Sequence, residues 1–317
     1  MTRLLDNPAF ASRFRDLARV SLNPRRHSMA DALTHSEAVA ARAAALATAS
    51  GFTGPERDLL EDLGRAHDIG KCLGTARPEK SLVILDECGV TDPALRALVR
   101  WHDTALPWWN SSRKGQPPGD AAWRRLAGEV DLRHLALFMV ADRVDAPGGW
   151  RRNVPTVWFH EQARRRSLLP AGLVFDLPGV ASEISAGAVL VDGAGDARRA
   201  LVIRTRADVF ELAKGGIEWD ELLEEAACRE LAEEAGVTGP LDVVAPLGRL
   251  AYDFVWEHET WHKHVHYYAV RARGGDVALG PLPEGTRERR WVDRAEAASL
   301  PLVAESLRPI LYAALSS

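Results

Sequence analysis

Between Glu218 and Glu234, the segment "AKGGIEWDELLEEAACRELAEEAGV" (213–237) carries eight acidic residues and one arginine, Arg229. Leu222, Leu223, Ala226, Ala227 and Leu231 are spaced as the buried face of a helix. Positions three and four apart share a helix face, so Glu230, Glu233 and Glu234 converge within one turn. Left alone they repel. A hard divalent cation, magnesium or manganese, neutralises such a group and keeps coordination sites open for phosphate oxygens.

A second set lies upstream. "THSEAVA", "RAHDIGK" and "MVADRVDA" place His35, the adjacent pair His67 and Asp68, and Asp142 beside apolar helical runs. Imidazole nitrogens and carboxylate oxygens together suit a divalent cation held between helices, and such an ion supplies an activated water for attack on phosphorus.

The downstream helix is similar to the signature of the Nudix hydrolases: Gly, five residues, Glu, seven residues, then Arg-Glu-apolar-x-Glu-Glu-x-Gly-apolar. Here it is Gly215, Glu221, Arg229, Glu230, Leu231, Glu233, Glu234, Gly236 and Val237, with each specified position filled. The resemblance implies an α/β/α sandwich over residues 183–317 and pyrophosphate hydrolysis in a nucleoside diphosphate linked to another group. It implies Glu230, Glu233 and Glu234 as ligands of magnesium or manganese, with Glu233 and Glu234 serving catalysis. Arg229 would orient them through Glu221, while Lys214, Gly215 and Gly216 shape the approach of the pyrophosphate.

A further carboxylate from outside the motif is expected among Glu257, Glu259, Glu284 and Glu288, and the sequence does not choose. "FELAKGGIEWDE" resembles the form found in Nudix enzymes acting on dinucleoside polyphosphates, RNA 5' ends and diphosphoinositol polyphosphates. Ala213 stands where Pro is usual, and Trp219-Asp220 where Pro-Gly is usual. "HKHVHYYAV" resembles a strand of the dinucleoside polyphosphate group, which implies Lys263 on phosphate and Tyr267 or Tyr268 on the base. Plain strand alternation accounts for the same pattern. His262, His264 and His266 share a strand face at period two, and a zinc assignment to them is disfavoured.

The upstream residues resemble the HD-domain metal-dependent phosphohydrolases, whose signature is H, then HD, then D, over residues 20–146. That resemblance implies an all-α fold, a divalent transition metal (Mn, Co, Ni, Fe or Zn) on His35, His67, Asp68 and Asp142, and a catalytic role for Asp68. His102, in "RWHDTALPWWNSS", reads as a substrate contact, a second-metal ligand or a structural helix-end residue. Only His134 follows it before Asp142, which weakens the case for two metals. Trp101, Trp108 and Trp109 offer base stacking or core packing.

The positioning elements follow from periodicity. Over residues 8–145, alanine- and leucine-rich segments repeat at helical spacing; from 183 onward, short β-branched and aromatic runs alternate with turns, broken by helices near 219–235 and 302–315. In the first of these, Glu218 and Asp220 are expected to favour the helix dipole. The chain should therefore hold an HD-type domain (1–150), a linker (151–182) with a short helix at "FHEQARRR", and a Nudix-type domain (183–317). A length of 317 residues accommodates two cores. Net charge −4 gives no general electrostatic pull toward nucleic acid or anionic membrane. Three scattered cysteines, without CxxC spacing, suggest neither a disulfide framework nor a zinc knuckle. With no apolar run of membrane-spanning length, a soluble, cytoplasmic protein is expected.

The function expected is a bifunctional phosphohydrolase acting on nucleotide-type substrates, with dinucleoside polyphosphates preferred at the Nudix half. Two alternatives stay open. One is processing of RNA or DNA ends, with Arg151, Arg152, Arg164, Arg165 and Arg166 holding the strand. In the other, the helical half regulates without catalysis. Oligomeric state is not readable from these features.

Overall fold

The protein is described from a computed structural model covering residues 3–205, 208–256 and 258–317. It divides into two compact units, Met1–Val180 and Ala181–Ser317.

The first unit is helical among its described residues: α1 (Pro8–Asp16), α2 (Ala32–Ala49), α3 (Gly54–Ala66), α4 (Pro78–Glu87), α5 (Pro93–Trp101), α6 (Ala105–Arg113), α7 (Asp120–Glu129), α8 (Leu132–Ala141) and α9 (Val154–Arg165). Local signals set the starts. Asn7, Asp31, Asp92, Asp131 and Asn153 each cap a helix by accepting backbone N–H groups. Thr53 and Glu56 form a reciprocal capping box on α3. One apolar core, including Phe10, Leu46, Leu63, Leu135, Phe138 and Phe159, ties the helices together.

Gly64 sets the closest approach in this unit. A Cβ there would lie 2.4 Å from the Ala40 Cα, so α2 and α3 pack at a distance no larger residue permits. His35 on α2 and His67 just after α3 thereby come to 5.5 Å between ring centroids.

Within the segment 151–182 expected as a linker, the residues up to Val180 cluster with the helical unit. Phe159, Ala163 and Phe175 are buried in the helical core, and Asp176 accepts hydrogen bonds from Trp150 (2.9 Å) and Arg151 (2.6 Å). The apolar spacing inside α9 outweighs the Pro, Gly and Arg content that suggests a connector. The unit boundary falls at 180/181. His160 on α9 sits between Phe175 and Trp150, and its Nε2–H donates to the Ala136 carbonyl at 3.1 Å. Burial pushes its pKa down to about 3.

The second unit contains β1 (Glu183–Asp192), β2 (Arg199–Arg204), β3 (Ala213–Gly216), α10 (Leu223–Ala235), β4 (Val237–Thr238), β5 (Leu241–Trp256), β6 (Glu259–Ala272), β7 (Ala278–Leu279), β8 (Glu288–Val292), α11 (Arg294–Ser299) and α12 (Arg308–Ser316). The main sheet runs β5-β6-β1-β2-β8, with β3 also on β1, and β1 is parallel to β6. Strand β1 is buried along most of its length because both sheet faces are covered. One face packs on α10 through Ala186, Ala188, Ala226 and Leu231; the other packs on α11 and α12 through Val189, Val265, Leu311 and Ala314.

Helix α10 begins four residues later than the acidic run suggests. Leu222 is its N-cap, and the Glu225 carboxylate accepts the Leu222 N–H at 3.0 Å. Glu224 and Glu225 therefore occupy the first turn, whereas Glu218 and Asp220 precede the helix.

Two substitutions in the helical unit test this packing. Gly64→Ala should cost about 1–3 kcal/mol through overpacking against backbone, read as a lowered denaturation midpoint. As pH falls through the ordinary histidine pKa of about 6.5, unfolded chains take up a proton that buried His160 refuses, so stability drops. His160→Phe should flatten the melting temperature between about pH 6.5 and pH 4 relative to wild type.

Candidate functional sites

In the second unit the acidic cluster is organised by Arg229. Its Nε and Nη2 donate to the two oxygens of Glu221 at 2.8 and 2.9 Å, and Nη2 also donates to the Gly216 carbonyl at 2.8 Å. Nη1 reaches Glu230 at 2.6 Å and Glu233 at 3.2 Å. One planar guanidinium thus fixes the loop, the helix start and two carboxylates. Burial opposes ionisation of Glu221, but the Arg229 hydrogen bonds and charge hold its pKa below the ordinary value.

Gly215 gives Glu230 its room, since a Cβ there would stand 2.1 Å from that carboxylate. Glu234 accepts the Lys214 amide N–H at 2.8 Å. Burial lifts the Glu234 pKa above its usual range against the pull of that amide, and the charges of Glu230 and Glu211 add to the rise. The raised Glu234 carboxyl near Glu230, with Gly215 leaving space, marks where a divalent cation would be held. Among the described residues Glu230, Glu233 and Glu234 do not bring ligand atoms close enough together to share one ion in this arrangement, in which Arg229 engages Glu230 and Glu233.

Glu211 is the residue that sequence reasoning missed. It contacts Thr205 and lies 3.4 Å from the Lys214 Nζ. Its one signal was its place in "FELAKGG", three residues before Lys214. Of the four carboxylates expected outside the motif, Glu257 lies outside the described residues. Glu259 sits opposite Trp256 at the hairpin end. Glu284 is exposed in a loop, and Glu288 pairs with Arg204 at 2.7 Å and Arg290 at 3.6 Å.

Lys263 lies beside buried Glu183, 3.4 Å from its carboxylate. Tyr267 is only 2% exposed and its ring fills the space above Gly187, so it has no open face for a base. Alternation along β6 is enough to explain why it is there. Tyr268 is buried toward α10, which pushes its phenol up to about 12. His262 pairs with Asp253 at 2.6 Å and His264 lies 3.3 Å from Arg249. Among the described residues, the histidine stripe forms no cluster able to share an ion.

The helical unit gathers His35, His67 and Asp68 within ion-sharing distance. The Asp142 Oδ1 lies 3.4 Å from the His35 Nε2 and 3.2 Å from the His67 Nε2. Each histidine is held from behind: His35 Nδ1 by Asp145 at 3.0 Å, His67 Nδ1 by the Gly64 carbonyl at 2.8 Å, and His102 Nδ1 by the Val99 carbonyl at 2.7 Å. A carbonyl only accepts, so Nδ1 donates a hydrogen bond to it in His67 and His102, which leaves Nε2 as the ring atom facing the aspartates. The Nε2 atoms of His35 and His67 are buried without hydrogen-bond partners.

Burial works against a charged His67, yet the charges of Asp68 and Asp142 more than offset it and raise the pKa. The two aspartates, paired with Lys71 and Arg143 on one side, and the two Nε2 atoms that make no hydrogen bond on the other, fit a divalent cation. His102 stands 5.4 Å from His67 between ring centroids, with its Nε2 4.0 Å from Asp68. Asp145, which orients both His35 and His27, was not singled out from sequence, although it lies three residues after Asp142. Lys71 was also missed; its Nζ lies 2.7 Å from Asp68.

Other expected contributors are engaged elsewhere. His134 lies beside Glu56 (3.5 Å) and Phe52, at the other end of α8 from Asp142. Trp101 donates to Glu129, Trp108 packs on Trp123, and Arg113 covers Trp109. Arg151 pairs with Asp176, Arg164 stacks on Phe175, and Arg166 stacks on Trp123.

Residues 181–314 match the NUDIX domain family model, so the second unit is a Nudix domain. A Mycobacterium tuberculosis protein bearing the name MutT4 is 39% identical over 117 residues, covering 35% of this chain and 46% of that protein. Nudix hydrolase 4 of Arabidopsis thaliana is 41% identical over 86 residues, covering 26% of this chain and 38% of that protein. An RNA pyrophosphohydrolase of Sphingopyxis alaskensis is 28% identical over 103 residues, covering 29% and 65% respectively. The chain thus spans less than two thirds of the length of each of these relatives.

Asp145→Ala should weaken manganese binding by the helical unit about 10- to 100-fold, as removal of a partner behind a ligating histidine does elsewhere. Isothermal titration of the full chain checks this, with the affinity of the Glu230–Glu234 cluster unchanged as the internal reference.

Proposed function

We propose that this protein is a two-site phosphohydrolase, with pyrophosphate hydrolysis in the Nudix unit and phosphoester hydrolysis in the HD-like helical unit, both on nucleotide-type substrates. The observation that carries the first activity is the Arg229 fork, which holds Glu230 and Glu233 beside Glu234 with no side chain at Gly215 in the way. Magnesium or manganese bound there supplies charge neutralisation on the pyrophosphate and an activated water. Glu230, Glu233 and Glu234 would hold the ion, and the Lys214 amide keeps Glu234 turned toward it. Lys214, 3.4 Å from Glu211, and Lys263, 3.4 Å from Glu183, would offer cations to the phosphate chain. Glu211, held by Thr205 and 3.4 Å from the Lys214 Nζ, would serve as the general base.

In the helical unit, His35, His67, Asp68 and Asp142 would hold a divalent transition metal, which supplies Lewis-acid activation of a water and a phosphoryl oxygen. Lys71, next to Asp68, places an ammonium for the phosphate oxygens. A dinucleoside polyphosphate is the preferred Nudix substrate. The RNA-end reading loses support from the arginines, since three of the five invoked for it are committed to Asp176, Phe175 and Trp123.

The test is a panel of nucleotides, dinucleoside polyphosphates, phosphomonoesters and cyclic phosphodiesters, assayed with magnesium, manganese, cobalt or nickel. Glu233→Gln should lower pyrophosphate cleavage at least about 100-fold and spare ester cleavage, with Asp68→Ala doing the reverse. Loss of both activities in either variant would contradict two independent sites.

A further inference from the structure

The β5–β6 hairpin continues past the sheet. Strand β1 joins β6 no further out than the pair Glu183 and Lys263, whereas β5 and β6 stay paired out to Trp256 and Glu259. Ser182, just before β1, still bonds His262, so residues 254–256 and 259–261 form a two-stranded ribbon beyond it, with Tyr252 at its base level with Glu183. Alternate residues of a strand share a face, which puts Tyr252, Phe254 and Trp256 together, and Trp261 lies directly across from Phe254. Ring centroids are 6.3 Å apart for Tyr252 and Phe254 and 5.5 Å apart for Phe254 and Trp261. Tyr252 is 42% exposed and Trp256 57%.

This row starts on the sheet face that carries Lys263 and Glu183. Tyr252 lies opposite Lys263, which lies opposite Glu183. The Tyr252 phenol is raised by burial and also senses the charges of Lys214, Glu183 and Glu211. Lys214 is the residue whose amide holds Glu234. From Tyr252 to Trp256 the strand advances about 13 Å, more than one base ring covers.

Resting on the pyrophosphohydrolase reading of the same site, we infer that this aromatic ribbon is a stacking platform for two nucleobases of one substrate, one at Tyr252 beside the phosphates and a second outward at Trp256. The Lys263 ammonium at the inner end of the row suits the phosphates of a nucleotide, which favours a base over a protein partner. Every base offers a π face, so an open aromatic row binds it without reading its edges. A dinucleoside polyphosphate carries two bases joined through phosphates and is the occupant inferred; the 5'-triphosphorylated end of an RNA, which also carries two, is the other outcome of the test.

Isothermal titration of the full chain in EDTA separates binding from turnover, using ATP, diadenosine tetraphosphate and 5'-triphosphorylated adenylyl-adenosine as probes. Tyr252→Ala should weaken all the ligands that bind. Trp256→Ala should weaken a two-base ligand about 5- to 100-fold and leave ATP unchanged, with Trp256→Phe restoring most of the loss. Loss confined to diadenosine tetraphosphate identifies a free dinucleotide, and loss confined to the triphosphorylated dinucleotide identifies an RNA end. Equal effects of Trp256→Ala on one-base and two-base ligands, no binding of any two-base ligand by wild type, or a change in sedimentation alone would overturn the platform. If wild type binds two-base ligands but releases no cleavage product with magnesium or manganese, the hydrolase reading fails and the platform stands. If Trp256→Ala changes neither the binding nor the cleavage of two-base ligands, the platform fails and the hydrolase reading stands.

Discussion

Carboxylates held side by side in a partly buried setting repel by about 4 kcal/mol at 4 Å, at the effective dielectric constant of a protein surface. In the Nudix unit the repulsion among Glu230, Glu233 and Glu234 is met from one side by Arg229. The same guanidinium bonds Glu221 and the Gly216 carbonyl, so the loop before α10 and the helix itself are held by one cation. The other side of the cluster is left to Gly215, which adds no atoms. Strand β3 brings that glycine and the Lys214 amide to the helix through its pairing with β1. The sheet therefore exists, from the point of view of the site, to keep a short loop and one helical turn in register.

The helical unit solves the related problem with imidazoles. Asp68 and Asp142 face His35 and His67, and each ring is fixed by an acceptor behind it. The close approach of α2 and α3 at Gly64 brings the two rings together. Arg143 and Lys71 contact the carboxylates at the rim of the cluster. Both units thus place an anionic centre at the ends of helices, where backbone geometry and not side-chain reach sets the spacing.

Part of this was legible in the sequence because each cluster contains residues that local spacing makes neighbours. The i, i+3, i+4 pattern of α10 puts three glutamates on one turn, and adjacent His67 and Asp68 need no tertiary information to be neighbours. What was not legible depends on contacts across the chain. Glu211 reaches the cluster only because β3 lies beside α10, and Asp145 matters only because α8 ends next to α2. Tyr267 looked like a base contact, yet strand alternation turns it into the core, while Tyr252, on a neighbouring strand, keeps an open ring. The segment 151–182 reads as a connector from its Pro, Gly and Arg content, and Phe159 and Phe175 within it are buried in the helical core. The start of α10 was missed because acidic residues suit both a helix start and the loop before it, and the Glu225 bond to the Leu222 amide decides between them.

The central claim is that one chain holds two separate divalent-cation centres, one on glutamates and one on histidines and aspartates. Crystals of the full chain grown with manganese, measured at a wavelength where manganese scatters anomalously, test it directly. The account predicts two distinct sets of anomalous peaks, one among Glu230, Glu233 and Glu234 and the other among His35, His67, Asp68 and Asp142. Peaks at neither cluster, or at one cluster alone with the other closed by direct ion pairs, would contradict it.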